Sequence, residues 1–324
     1  MKTGVWILLV VVLICVFGVL GSSGLAFGQI SSLKAGPWRA ALIRQDSEKI
    51  IFNFDLQYQQ RKPVIYIINA EERMEVRRIE QRKDSVIIDM PFFESVFKLR
   101  LFPDGSLGGQ WIKATSGKNA VWTFQASPTT APRFEVNTPP AYQLTGRWAM
   151  NFTKKEGKVH PAIAELKQEG SKLTGSILTP SGDYRYLEGV VSGDSLVLST
   201  FDGSHAYLFR ARVIDGQTIG DGQFFGGYTN YETFTATKND AAELSMASVA
   251  MELKNPAEDR LNFRFPDLNG KMVGINDARF KGKVVVIQIM GSWCPNCLDE
   301  TSFLSDYYKK NRKRGLEMLA LAYE

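Results

Sequence analysis

The sequence repeats itself over most of its length, and this repetition constrains the fold more than any other feature. Four short matches share an offset of 110 positions: Gly36-Pro37-Trp38 with Gly146-Arg147-Trp148, Asp84-Ser85-Val86 with Asp194-Ser195-Leu196, Leu99-Arg100 with Phe209-Arg210, and Thr123-Phe124 with Thr233-Phe234. Several matches at one offset rarely arise by chance. Residues 36–238 are therefore predicted to contain two copies of one domain, with small gaps near the turns Asp104-Gly105 and Asp215-Gly216.

Both copies have the pattern of β-structure. Alternating apolar residues occupy four short runs: 64–68, 85–88, 172–177 and 194–198. Turn pairs separate such runs: Asp104-Gly105, Ser181-Gly182, Ser192-Gly193 and Asp202-Gly203. Short strands at this spacing are typical of antiparallel sandwiches or small barrels. We expect one β-domain at 36–126, a second at 146–238, and a proline-rich linker at 127–145.

The N-terminus is typical of a secretory signal. Lys2 precedes an apolar run over residues 5–20, and small residues follow up to Gly28. We expect residues 1–28 to direct export to the periplasm or cell envelope, with cleavage after Ala26 or Gly28. The run is slightly short for a membrane span, so an uncleaved anchor formed by residues 5–20 is the alternative. Cys15 lies within this run and is interpreted as an ordinary residue of the apolar segment.

Composition and cysteine usage limit the classes of function that this sequence can have. The 324 residues suggest two or three domains, and 44% hydrophobic with 23% charged residues is ordinary for a soluble globular protein. The net charge of +5 is spread along the chain, and the dense basic run 309–314 falls at the end of a predicted helix, so no nucleic-acid partner is expected. Removal of the leader would leave two of the three cysteines, Cys294 and Cys297. Stapling disulfides join distant positions, so this adjacent pair indicates thiol exchange.

The two cysteines lie in Trp293-Cys294-Pro295-Asn296-Cys297, between a predicted strand at 284–290 and a predicted helix from Leu298 to about Arg314, closed by Gly315. A helix N-terminus favours negative charge on the first sulfur. Upstream, we expect a helical linker at 239–258 with its helix at about 241–253. An extended segment and hairpin turn are expected at 263–271, within a third domain at 259–324.

Residues 265–324 resemble the first half of a thioredoxin-like domain of the exported TlpA/ResA disulfide-reductase type. The matching elements occur in order: Phe265-Pro266-Asp267-Leu268-Asn269-Gly270-Lys271, Gly282-Lys283-Val284-Val285-Val286, and Trp293-Cys294-Pro295-Asn296-Cys297 with Glu300. The resemblance covers about a fifth of the chain. The expected fold class is thus two β-sandwich or small-barrel-like domains followed by an incomplete α/β thioredoxin-like domain. Domains of this family continue with further strands, a helix and a cis-proline loop, so we expect the sequence to be a fragment whose last domain is unstable alone.

The resemblance implies a role for each residue of the motif. Cys294 would be the attacking thiolate, and Cys297 would resolve the mixed disulfide. Pro295 and Asn296 would tune the reduction potential, and Trp293 would shield the pair. No cofactor is expected beyond the redox-active Cys294–Cys297 disulfide.

Two further positions depart from or extend this pattern. Glu300 matches an acidic position that the family links to tuning of the cysteine pair; the alternative is an ordinary first-turn glutamate that complements the helix dipole. Gln288 stands where thioredoxins proper carry a buried aspartate. It removes one candidate proton acceptor for Cys297.

We therefore expect an exported thiol–disulfide oxidoreductase that reduces protein disulfides, with an unidentified thiol as electron donor. One alternative is a cell-envelope binding protein whose β-domains recognise a ligand through aromatics at 224–225 and 228–231, although these are more typical of a strand with its turn. A peroxiredoxin is less favoured, because that chemistry wants Pro-x-x-x-Thr-x-x-Cys and Met290-Gly291-Ser292-Trp293 precedes Cys294.

No metal site is expected. The two histidines, His160 and His205, both lie in the β-region, and the cysteine pair supplies two of the four ligands that zinc needs. Each histidine is interpreted as a surface or strand residue.

Overall fold

The computed structural model describes residues 32–91, 95–113, 119–180, 182–244, 260–292 and 294–323. Residues 36–238 form two nine-stranded antiparallel sheets. The first contains β1 (Gly36–Ile43), β2 (Lys49–Gln59), β3 (Lys62–Asn69), β4 (Glu72–Val76), β5 (Arg78–Arg82), β6 (Ser85–Asp89), β7 (Ser95–Leu101), β8 (Leu107–Lys113) and β9 (Ala120–Pro128).

The second sheet contains β10 (Gly146–Lys154), β11 (Val159–Glu169), β12 (Lys172–Thr179), β13 (Gly182–Asp183), β14 (Leu187–Ser192), β15 (Ser195–Phe201), β16 (Ala206–Asp215), β17 (Thr218–Gly226) and β18 (Asn230–Lys238). Alternate residues of most of these strands are buried, as each sheet turns one face inward.

Both sheets are barrel-like. In the second, β11 pairs with both β10 and β12, so the strand order returns on itself. In the first, β4 pairs with β3 and β5 pairs with β6, and only Arg77 separates β4 from β5. A single residue therefore connects the two edge strands of the first sheet. Of the two architectures left open by the sequence, the small barrel is the one observed.

The pairing registers show which residues of the two barrels are equivalent. Leu42 pairs with Ile50 and Phe124 in the first barrel, and Phe152 pairs with His160 and Phe234 in the second, each 110 positions later. The offset then changes, since the β15–β16 hairpin is two residues longer than the β6–β7 hairpin.

This longer hairpin corrects one of the sequence matches. Arg100 pairs with Ser85, whereas Arg212 pairs with Ser195. The counterpart of Leu99-Arg100 is therefore Ala211-Arg212, and the match to Phe209-Arg210 was wrong.

The tip of the β15–β16 hairpin enters the first barrel. Phe201 is fully buried, with its ring centroid 4.4 Å from that of Phe52, 5.1 Å from Trp111 and 5.8 Å from Phe97. The Asn69 side chain donates to the Phe201 carbonyl at 2.9 Å and accepts from the Phe201 N–H at 3.3 Å. The two barrels thus share part of one apolar core.

Arg133 ties the predicted linker to both barrels. Its side chain is almost completely buried and donates to the carbonyls of Ile68 in the first barrel and Ser199 in the second. Burial lowers the pKa of Arg133 to about 10, against the opposing charge of Glu188, whose carboxylate lies 3.8 Å away. At Arg133, the predicted linker is therefore packed against both barrels.

The barrel interiors are filled with side chains. One cavity in each barrel has a volume of about 20 Å³, roughly the space of one water molecule. Phe224 and Phe225 are buried in β17, so the alternative that placed them on an exposed ligand surface was wrong. Tyr228 is partly exposed and packs on Trp122 with centroids 5.2 Å apart.

The C-terminal region is smaller and less buried. It contains a hairpin of β19 (Arg264–Pro266) and β20 (Met272–Gly274), then β21 (Val284–Met290), α1 (Pro295–Asn311) and β22 (Leu316–Ala322). Residues 241–244 are not helical, and the rest of the predicted linker helix lies outside the described residues. Within the ranges that the structure describes, no helix has both the length and the apolar character needed to span a bilayer.

Candidate active site at the start of the C-terminal helix

A strand–helix–strand unit positions the two cysteines. β21 and β22 are parallel and in register from Val284 opposite Leu316 to Met290 opposite Ala322. The helix between them begins at Pro295, which needs no hydrogen-bond partner for its nitrogen in the first turn. It ends through a short 3₁₀ turn at Gly315, whose φ of 90° suits glycine. The predicted strand and helix stop are confirmed, and the helix begins three residues before the predicted Leu298. Glu300 therefore lies in the second turn, and the alternative of a first-turn glutamate was wrong.

Cys294 caps this helix. Its backbone is extended, with φ −100° and ψ 110°, and its Sγ accepts a hydrogen bond from the Cys297 N–H at 3.3 Å. The two residues are joined as a disulfide, with Cα atoms 5.3 Å apart, and both are half-buried. When this bond is reduced, the same N–H and the helix dipole stabilise negative charge on the Cys294 sulfur.

Gln288 lies beneath Cys297. Its side chain comes from β21 and is buried, with 8% exposure. The amide nitrogen donates to the Cys297 carbonyl at 3.0 Å and to Glu300 Oε2 at 2.9 Å. Both partners are acceptors, and this fixes the orientation of the amide.

Thr301 completes the network and was missed from the sequence. Its hydroxyl lies 2.7 Å from the Cys297 carbonyl, 2.9 Å from Gln288 Oε1 and 3.7 Å from Met290 Sδ. A threonine four residues after Cys297 occupies the same helix face and bonds backward to its carbonyl, which is the signal that would have identified it.

The structure brings together four of the predicted site residues: Cys294, Cys297, Gln288 and Glu300. Glu300 is solvent-exposed although it contacts Gln288. Trp293 and the side chains of Pro295 and Asn296 lie outside what the structure describes, and their roles stay predictions.

The histidines lie in the second barrel. His160 Nε2 is 2.6 Å from Glu232 Oε2 in β18, and His205 Nδ1 is 3.1 Å from Asp202 Oδ2. Across the described ranges, no group of three or more histidine, cysteine, aspartate or glutamate side chains is arranged to hold a metal ion.

Comparison with known proteins identifies the C-terminal region. Residues 256–324 match the model of the AhpC/TSA family. A 60-residue stretch is 38% identical to the thiol–disulfide oxidoreductase ResA of Bacillus thuringiensis subsp. konkukian, covering 18% of this chain and 34% of that protein. A 95-residue stretch is 32% identical to ResA of Bacillus subtilis, covering 29% and 45%, and 30% identical to ResA of Geobacillus thermodenitrificans, covering 29% and 46%.

The chain spans less than half the length of these curated relatives. The matches show a thioredoxin-like domain at the C-terminus, homologous to thiol–disulfide oxidoreductases, and they confirm the resemblance drawn from the sequence.

Proposed function

We propose that the protein is an exported thiol–disulfide oxidoreductase that reduces protein disulfides with the Cys294–Cys297 pair. The observation that carries this proposal is the capping position of Cys294. Its Sγ accepts a hydrogen bond from the Cys297 N–H at the start of α1. The homology to proteins named thiol–disulfide oxidoreductase supports the same chemistry. Export rests on the signal-like sequence of residues 1–28.

The reaction follows from the two positions. The Cys294 thiolate attacks one sulfur of a substrate disulfide, forms a mixed disulfide and expels the other substrate sulfur as a thiolate. The Cys297 thiolate then attacks Cys294 Sγ, and the second substrate sulfur leaves. The substrate gains two electrons and two protons, and the Cys294–Cys297 disulfide forms. A thiol donor must reduce this disulfide before the next turnover.

Reduction of insulin disulfides by the reduced protein tests the proposal. Cys294→Ser should abolish the reaction, because no sulfur remains at the capping position. Cys297→Ser should instead accumulate a mixed disulfide with the substrate, visible by mass spectrometry. Insulin reduction that survives Cys294→Ser would overturn the proposal.

A further inference from the structure

The residues beneath the cysteine pair form a network that the motif itself does not contain. The buried Gln288 amide reaches two acceptors on α1, the Cys297 carbonyl at 3.0 Å and the Glu300 carboxylate at 2.9 Å. The two acceptors belong to residues three apart on the helix, which lie on one face. A single side chain of the neighbouring strand therefore links the resolving cysteine to the carboxylate.

Thr301 holds the other end of the amide. Its hydroxyl lies within hydrogen-bond distance of Gln288 Oε1 and of the Cys297 carbonyl. A hydroxyl carries one hydrogen, so it donates to one of these oxygens at a time. Either way, Thr301 contacts the oxygen of the Gln288 amide, while the amide nitrogen is bonded to Cys297 and Glu300.

Glu300 gains its position from this contact. The residue is solvent-exposed, and an exposed glutamate on a helix has many side-chain conformations of similar energy. The bond from a buried and oriented amide selects one of them. Charge-assisted bonds of this kind are among the stronger hydrogen bonds in proteins.

We propose that Gln288 is a positioning residue for the resolving step, holding the Glu300 carboxylate beside Cys297 so that it accepts the Cys297 proton. Thr301 supports Gln288 in this role. The proposal rests on the proposed function, since it concerns the second half of the thiol-exchange cycle.

The resolving step transfers one proton and exchanges one disulfide bond for another. Cys297 begins as a thiol opposite a mixed disulfide on Cys294, and its proton moves to the Glu300 carboxylate. The resulting thiolate attacks Cys294 Sγ, so the Cys294–Cys297 bond forms and the bond from Cys294 to the substrate sulfur breaks. The departing substrate thiolate takes up a proton, and Glu300 returns its own to solvent. No oxidant or reductant enters beyond the substrate disulfide and the reduced cysteine pair.

The first test isolates Cys297 from catalysis. In the full chain carrying Cys294→Ser, alkylation of Cys297 by iodoacetamide is followed against pH by peptide mass spectrometry. A carboxylate held beside the sulfur disfavours the thiolate. Glu300→Gln should therefore lower the pH midpoint of alkylation, by about one pH unit.

Gln288→Leu should lower the midpoint by a similar amount, because the carboxylate is then free to turn into solvent. The double variant should show no further decrease. A midpoint unchanged by Gln288→Leu, or lowered by the same amount whether or not Glu300 is present, would overturn the proposal.

Variants of matched size guard against misfolding. Thr301→Val removes the hydroxyl and should shift the midpoint in the same direction as Gln288→Leu, whereas Thr301→Ser keeps the hydroxyl and should not. Equal midpoints in Thr301→Val and Thr301→Ser would contradict a positioning role even if Gln288→Leu failed to fold.

The second test measures the rate of the resolving step. In a Cys15→Ser background, the reduced protein reacts with Ellman's reagent in two phases, attack by Cys294 and displacement by Cys297. Loss of a proton acceptor slows a step about a hundredfold at the lower end of its usual range, and the larger thiolate fraction offsets about tenfold of this. Gln288→Leu should therefore slow the second phase about tenfold and leave the first within twofold. Equal slowing of both phases would indicate a structural defect and reject the proposal.

Neither test needs a protein substrate, so a failure to reduce insulin would reject the proposed function without deciding the role of Gln288.

Discussion

The same end of the two barrels is built from different side chains. Positions that pair with each other across the strands are apolar in the first barrel and mixed in the second: Leu42, Ile50, Trp111 and Trp122 correspond to Phe152, His160, Phe224 and Glu232. Two of the four substitutions are linked, because His160 and Glu232 form a hydrogen bond of 2.6 Å.

The neighbouring barrel explains the difference. Phe201 of the second barrel packs against Trp111 at this end of the first, so every side chain there meets apolar partners. His160 remains 27% exposed, and its Glu232 partner also accepts from the Asn230 amide at 3.2 Å. Polar groups are tolerated at a barrel end that meets water and bonds internally, and they are costly at one buried against another domain. The same barrel fold therefore accommodates either an apolar end or an end with hydrogen-bonded polar side chains.

Phe201→Ala should cause the largest loss of stability among the variants that test this difference. The change removes a fully buried ring from the first barrel's core, although the residue belongs to the second. We expect a loss of about 3–5 kcal/mol in the free energy of unfolding, measured by urea denaturation with tryptophan fluorescence. Phe102→Ala is the control, since Phe102 is 40% exposed and should cost far less. Equal losses in the two variants would show that the hairpin tip does not complete the first barrel.

This insertion also marks what the sequence could and could not predict. Period-2 alternation and the turn pairs predicted strands such as β3 and β15, and the apolar run before Cys294 predicted β21, because these signals are local. The position of Phe201 depends on a hairpin two residues longer than its counterpart, and its partners lie between Phe52 and Trp111, far earlier in the sequence. Sequence spacing alone cannot show such a contact.

The candidate site divides in the same way. The cysteine motif, its strand and its helix were predictable, since all of them follow from neighbouring residues. Gln288 was singled out by its position in the family pattern, and the structure adds its bonds to Cys297 and Glu300. Thr301 was missed, because its role depends on facing Gln288 across the strand–helix interface.

A smaller effect is expected from the linked pair. His160→Ile copies the first barrel's Ile50 and leaves Glu232, which is almost fully buried, without its imidazole. The loss should be about 1–3 kcal/mol, the usual cost of an unsatisfied buried group. The double variant His160→Ile, Glu232→Leu should recover part of it. If the two single changes added without coupling in urea denaturation, the pair would not act as a unit.

Asp202 in the second barrel should make the stability of the protein depend on pH. Burial alone would raise the pKa of this carboxyl, but the hydrogen bond and charge of His205, with backbone N–H groups, outweigh it and lower the pKa. A pKa lower in the folded than in the unfolded state gives stability that is present above about pH 4 and lost as pH falls. Asp202→Asn should therefore show a shallower loss of stability between about pH 4 and pH 2, followed by thermal unfolding. An unchanged slope would assign the acid sensitivity to other carboxyls.

The smallest effect is expected where the two barrels agree. Arg100 and Asp84 in the first barrel, and Arg212 and Asp194 in the second, form equivalent ion pairs with N–O distances of 2.8 Å. All four side chains are at least 44% exposed, so water and salt screen their attraction. Arg100→Ala and Arg212→Ala should each leave the urea midpoint unchanged within error, at low and at high salt. A loss confined to Arg212→Ala would mean that the longer hairpin depends on its ion pair. The difference between the barrels would then extend from the barrel end to an exposed ion pair that has the same N–O distance in both.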